Sequence, residues 1–269
     1  MKDEGFTIAG SAFHTPERGR LEILENCLIK VGSDGRIAEI VRSDHTDHAA
    51  MLTEARTGGT LIELGEGQYL LPGMVDLHIH APQWAQLGKA LDVPLEEWLQ
   101  KYTFPLEAKF ADTKFAREVY GSLVDNLLAN GTTTAVYFGT LHVDANLALA
   151  EICLDRGQRA LVGKVAMDNP AECPDFYRDA DADAAVADTR RFIERLAEMQ
   201  AGERPLVHPA ITPRFVPSCT DALLQGLGQI AHETGCHVQT HCSESDWASE
   251  YVRNRSAAPI RRCWLNSAC

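Results

Sequence analysis

The 269-residue chain predicts an α/β fold: a parallel (β/α) barrel preceded by a small β unit. Three observations carry that prediction. From Leu70 onward, apolar strand runs alternate with helical stretches. Residues able to do chemistry fall at or just after the ends of several of those strands. The first 69 residues lack this rhythm and show short alternating segments separated by turns. Repeated strand–helix units imply a parallel sheet. Functional residues gathered at strand C-termini point to a barrel rather than an open sheet.

The alternating segments are Phe6–Gly10, Leu21–Glu25, Cys27–Val31 and Arg36–Val41, with turns such as Gly32–Gly35 between them. They predict a small antiparallel β unit over residues 1–69. The polar stretch Arg42–Gly59 reads as a loop. The barrel portion spans 70–255. Its first strand, Leu70–His80, reads as buried through Leu71, Met74, Val75, Leu77 and Ile79, with Pro72-Gly73 as the turn that leads in. A Trp/Leu-rich segment, Gln83–Phe110, follows, then an amphipathic helix over Thr113–Ala129 that Asn130-Gly131 ends. Thr132–Phe138, Arg159–Met167, Leu206–Ile211 and Cys236–His241 supply four more strands. Between them lie helices over Leu147–Arg156, Asp181–Gln200 and Ser218–Thr234, the last with Ser218 as its cap, and a further helix begins near Asp246. A nucleotide-binding fold lacks support, because Gly65-Glu66-Gly67 does not extend into a full glycine-rich fingerprint.

Apolar residues make up 45% of the chain and charged residues 23%, an ordinary globular balance. The net charge of −13 argues against a nucleic-acid partner and against anionic membrane surfaces. Met1–Gly5 lacks the apolar core of a secretion signal and no stretch approaches membrane-spanning length, so a cytoplasmic location is expected. The eight cysteines show no Cys-x-x-Cys pair and read as reduced thiols, mostly small buried hydrophobes.

Three clusters carry the chemistry: His78-Ile79-His80 with Gln83 close behind, Thr212-Pro213-Arg214-Phe215, and His241-Cys242-Ser243-Glu244. Residues two apart on a strand share a side, which sets His78 and His80 about 6 to 7 Å apart along the chain. Two imidazoles at that spacing can share one metal ion. With His241 they make a neutral nitrogen set suited to Zn²⁺ or Fe²⁺, and such a site activates water near neutral pH. Glu244 reads as a proton shuttle rather than a ligand. Arg214 offers a rigid donor fork, Phe215 an apolar face, and Gln83 both a donor and an acceptor. Taken singly, Arg214 is equally a solvated charge, Phe215 a core residue, and Glu244 a helix-start carboxylate. Three such clusters on successive strand ends favour the joint reading. Of the other histidines, His14, His45, His48 and His232 read as surface residues, whereas His142, His208 and His237 stay open.

Over Pro72–Gln83, Thr212–Phe215 and Thr240–Ser245, the chain resembles the amidohydrolase superfamily and, within it, the guanine deaminases, across roughly residues 5–255. The resemblance implies a TIM-like barrel of the amidohydrolase type and an N-terminal unit that forms part of a composite β-sandwich. It implies zinc-dependent hydrolysis of guanine to xanthine and ammonia by a homodimer, Fe²⁺ being the alternative metal. By that likeness His78, His80 and His241 bind zinc, Gln83, Arg214, Phe215 and His241 hold the purine, and Glu244 shuttles protons. The rival readings are a chlorohydrolase, a deaminase of another purine or a pteridine, and a catalytically dead fragment. Lys164 lies on the third strand with nothing nearby to bridge a second metal.

The resembled family continues beyond this chain, and its later strands bring a further active-site histidine and a metal-binding aspartate. Its barrel has eight strands, and about five are legible here. Residues 256–269 do not resemble it, and a frameshift near Arg255 is the expected cause. A five-stranded remnant would leave its first and fifth strands as unpaired edges. The polypeptide is therefore expected to be poorly soluble and inactive or nearly so.

Overall fold

The computed structural model describes residues 5–202 and 205–256; the tail beyond Ser256, expected to be a frameshift product, lies outside the described residues. The chain forms two compact units, Met1–Gly73 and Met74–Cys269.

In the first unit, β1 (Phe6–Glu17) and β2 (Arg20–Val31) make an antiparallel hairpin, and β3 (Ile37–Val41) adds antiparallel to β2. Two short strands, β4 (Leu61–Glu63) and β5 (Tyr69–Leu70), pair parallel with β1. The unit is therefore mixed, not antiparallel throughout. A parallel neighbour needs a crossover, usually helical. The segment expected as a loop supplies it: α1 runs from His48 to Thr57. Its polar sequence hid the helix, since Ala55 is its sole buried residue. Ala12, Leu24, Cys27 and Ile29 form the small core of this unit.

The second unit is built on five parallel strands in chain order: β6 (Met74–His80), β7 (Thr132–Phe138), β8 (Arg159–Ala166), β9 (Val207–Pro213) and β10 (His237–Val238). Short helices α2 (Leu95–Trp98) and α3 (Phe104–Glu107) follow β6, joined by a π turn over Leu99–Thr103. Four longer helices, α4 (Thr113–Ala129), α5 (Val143–Arg156), α6 (Ala182–Met199) and α7 (Asp221–Thr234), pack side by side in sequence order. A last helix, α8, covers Asp246–Ser256. Asp112, Asp181 and Thr220 cap α4, α6 and α7 by accepting backbone N–H bonds.

Several boundaries differ from expectation (α5, for one, starts at Val143 rather than Leu147), and three bear on the site or its sheet. The first strand begins at Met74, because Pro72-Gly73 breaks the run and Leu70 pairs with β1 instead. Its apolar residues are not buried: Met74, Val75 and Leu77 are 60%, 60% and 72% exposed, since β6 is the sheet's edge strand. Helix α7 starts at Asp221 rather than Ser218, whose hydroxyl donates to the Phe215 carbonyl within a 3₁₀ turn containing Pro217. The fifth strand shrinks to His237–Val238, which leaves His241 on the loop beyond.

One core (Tyr120, Val124, Tyr137, Leu149, Val162 and Phe192 among its members) fills the space under α4 to α6, and a second around Leu223, Leu227 and Ile230 seats α7. Lys164, fully buried on β8, forms an ion pair of 2.8 Å with Asp179. Beside it, Gly163 leaves room for the Thr212 hydroxyl and the Gln239 carboxamide, both of which a Cβ would strike. Gly163→Ala is therefore expected to destabilise the protein by about 1–3 kcal/mol. Urea denaturation measures the loss, and an unchanged midpoint contradicts this packing argument.

Candidate metal centre

Strand alternation places His78 and His80 on one side of β6, with ring centroids 4.9 Å apart. The loop after β10 brings His241 to them across 161 residues of sequence. Its Nε2 lies 2.8 Å from Nε2 of His80 and 3.1 Å from Nε2 of His78. His241 Nδ1 donates to the backbone carbonyl of Arg214 at 2.8 Å. A carbonyl only accepts, so the proton sits on Nδ1 and the Nε2 lone pair faces the other two rings. Three imidazole nitrogens converging on one point suit a cation, and fixing the remote ring nitrogen is how proteins orient such ligands. Among the described residues, these histidines are the group able to hold a metal ion.

The surroundings favour the neutral form of two of these rings, His80 and His241. Phe138 stacks on His80 with centroids 4.5 Å apart. Burial pushes His80 well below the usual histidine range, helped by the charges of His241 and Arg214. Burial likewise lowers His241 to about 4. An unfolded histidine titrates near 6.5. Between pH 6.5 and about 4 the unfolded chain therefore binds a proton that the folded, metal-free chain refuses, and stability falls as the pH drops through that window. His241 alone accounts for up to about 3 kcal/mol of that loss. Denaturation of metal-free protein at the two ends of the window measures it; equal midpoints would refute it.

Arg214 leaves β9 with its side chain 2% exposed. Its Nη1 donates to Oε2 of Glu107 at 2.6 Å and its Nη2 to Oε1 at 3.2 Å. Burial opposes the guanidinium charge, but the paired carboxylate outweighs it and raises the Arg214 pKa. The guanidinium carbon lies 4.9 Å from the centre of the Phe104 ring. Gln83, in the 3₁₀ turn after β6, sets its carboxamide nitrogen 2.9 Å from Nδ1 of His80 and 3.3 Å from Oε1 of Glu107.

Glu107 is the residue that sequence reading missed. It is fully buried, at the end of α3. The signal was a lone carboxylate in the apolar run Phe104-Pro105-Leu106-Glu107-Ala108, where a buried charge needs a cationic partner. The π turn before α3 adds a residue to the helical repeat just ahead of Phe104 and Glu107, both of which meet Arg214.

Phe215 is buried, packs against Trp247 at 5.8 Å between ring centres, and joins a cluster with Leu99, Phe104 and Met167. It walls two spaces. One is a cleft of about 10 Å³, shared with His241, Ser243, Glu244 and Ala248. The other, about 350 Å³, is also lined by Leu99, Phe104, Glu172 and Trp247. Glu244 lies on an exposed loop beside the apolar wall of Phe215, Val216 and Ala248. Desolvation there raises its carboxyl pKa above the ordinary range, partly offset by Arg214 and His78. The structure thus gathers all three predicted clusters into one region, with Glu107 added.

The chain is similar to proteins of known activity. Guanine deaminase of Dictyostelium discoideum is 40% identical to the chain over 254 residues, covering 91% of this chain and 55% of the relative. Guanine deaminase of Homo sapiens is 38% identical over 245 residues, covering 91% and 53%. The crystal structure of guanine deaminase from C. acetobutylicum, with guanine bound in its active site, superposes with a TM-score of 0.85 at 31% identity, over 98% of this chain and 60% of that one. The chain spans about half the length of the curated relatives it matches. The sequence profile of the amidohydrolase family matches residues 69–261, a span that begins at β5 and takes in every element from β6 to α8. With the parallel sheet, the His-x-His strand and the third histidine all inside that match, the chain belongs to the amidohydrolase family.

Proposed function

We propose that, in a complete barrel, this site carries out metal-dependent hydrolytic deamination of guanine, yielding xanthine and ammonia, with zinc as the metal; the five strands alone are expected to be inactive or nearly so. One observation carries the reading: Arg214 serves both halves of the site. Its backbone carbonyl orients the would-be metal ligand His241, while its side chain, pinned to Glu107, presents a flat donor group nearby. Relatives near 40% identity that are guanine deaminases support the substrate. We further propose that the five parallel strands belong to a closed eight-stranded barrel, and the N-terminal sheet to a composite sandwich. The unpaired thiols of Cys27, Cys153, Cys173 and Cys219 support a reducing, cytoplasmic setting.

Zinc held by the three imidazoles supplies the Lewis acidity that makes water nucleophilic at neutral pH. The protein's own residues do the rest. Arg214 donates to the purine carbonyl, and Gln83 fixes the adjacent ring edge. Phe215 packs on the heterocycle and excludes water from its face. Glu244, with its raised pKa, takes a proton from the attacking water and delivers it to the departing amino nitrogen. Overall, one water is consumed: its oxygen becomes the carbonyl where the amine stood, the C–N bond breaks, one of the water's protons leaves with ammonia and the other stays on the adjacent ring nitrogen.

The test is xanthine and ammonia formation from guanine, in equal amounts, abolished by a chelator and restored by zinc. Turnover of adenine, a pteridine or a chlorotriazine in place of guanine would assign the site to another amidohydrolase activity.

A further inference from the structure

Arg214 offers five N–H donors, of which the carboxylate of Glu107 takes one from Nη1 and one from Nη2. Of the three left, the second on Nη1 faces Sδ of Met167 at 4.0 Å, which leaves two. The guanidinium cannot swing to find other partners, because one face meets the Phe104 ring and the far edge is held by Glu107. The charge balance is unusual for an arginine at a ligand site. Both partners are removed from water, at 2% and 0% exposure, so no solvent screens either charge and the two charges compensate each other locally. An unpaired buried guanidinium would instead favour a carboxylate, a phosphate or an anionic heterocycle.

We propose that Glu107 is a positioning residue that sets specificity: by pairing with Arg214 it makes the pocket select a neutral carbonyl-bearing heterocycle over an anionic one. The inference deepens the guanine reading and rests on it for the ligand class. Gln83 meets the same carboxylate, so one side chain aligns both polar contacts. The consequence is chemical. Purine deamination products and their oxidised relatives are more acidic than their precursors, and a pocket with compensated charge does not retain the anion.

The experiment uses zinc-loaded protein and two probes that cannot be deaminated, hypoxanthine (a neutral oxo-purine) and urate (an anion at neutral pH). Affinities are measured by calorimetry for the wild type, Glu107→Gln and Glu107→Asp, with zinc content as the check on folding. The wild type should prefer hypoxanthine. In E107Q the ratio should move toward urate by about tenfold or more, as expected when a buried counter-charge is lost. E107D keeps the charge but withdraws it by one carbon. It should weaken both probes by about fivefold while the ratio holds.

An E107Q protein with full zinc content and an unchanged ratio overturns the proposal. So does unchanged hypoxanthine affinity in E107D, which decides the matter if E107Q does not fold. A zinc-loaded wild type that binds neither probe also overturns it. Failure of the guanine reading looks different: no ammonia from guanine, with the hypoxanthine-to-urate ratio still shifting in E107Q.

Discussion

His241→Ala is expected to lower zinc affinity by more than about 100-fold, the largest single effect at this site. Loss of a residue that merely orients a ligand already costs about 10- to 100-fold, and on the proposed reading a ligand itself is removed here. His78 and His80 remain on β6, yet two nitrogens on one strand do not enclose an ion. The Arg214 carbonyl also loses the N–H that satisfied it at 2.8 Å. Zinc retained after dialysis, measured against the wild type, reads the outcome. Stoichiometric zinc in the variant would show that the ion sits elsewhere.

Arg214→Ala is expected to destabilise the fold by about 3–5 kcal/mol, because it strands the Glu107 carboxylate in a site from which water is excluded. The penalty belongs to the orphaned charge and not to the strength of the pair. Replacing both partners with apolar residues of similar volume should therefore recover most of the loss. A double-mutant cycle by urea denaturation separates the two accounts. Equal destabilisation in the single and double variants would mean that packing against Phe104, not charge, sets the cost.

The legible part of the molecule was whatever strong local patterns encode. The β-branched run Thr132–Phe138 and the amphipathic stretch Thr113–Ala129 gave strand and helix to the residue, because period and capping agree there. His78, His80 and His241 were legible through residue type and strand-end position, and the structure brings their nitrogens together. Three features depended on tertiary context. Helix α1 has little apolar face and exists as the crossover between parallel strands. Met74, Val75 and Leu77 have the composition of a buried strand, but sheet order makes β6 an edge. Glu107 was invisible because a carboxylate in sequence shows no partner. The partner lies 107 residues away and makes sense of it only after folding.

The two roles of Arg214 have a thermodynamic consequence. On the proposed reading, a rigid residue whose carbonyl steers a would-be metal ligand and whose side chain meets the purine joins the two binding events into one linked equilibrium. Reciprocity then requires that metal raise the affinity for the purine by the same factor that the purine raises the affinity for metal. The zinc off-rate should slow when purine is present, and the sensitivity of each ligand to the other should shrink together when Glu107 no longer holds the guanidinium still.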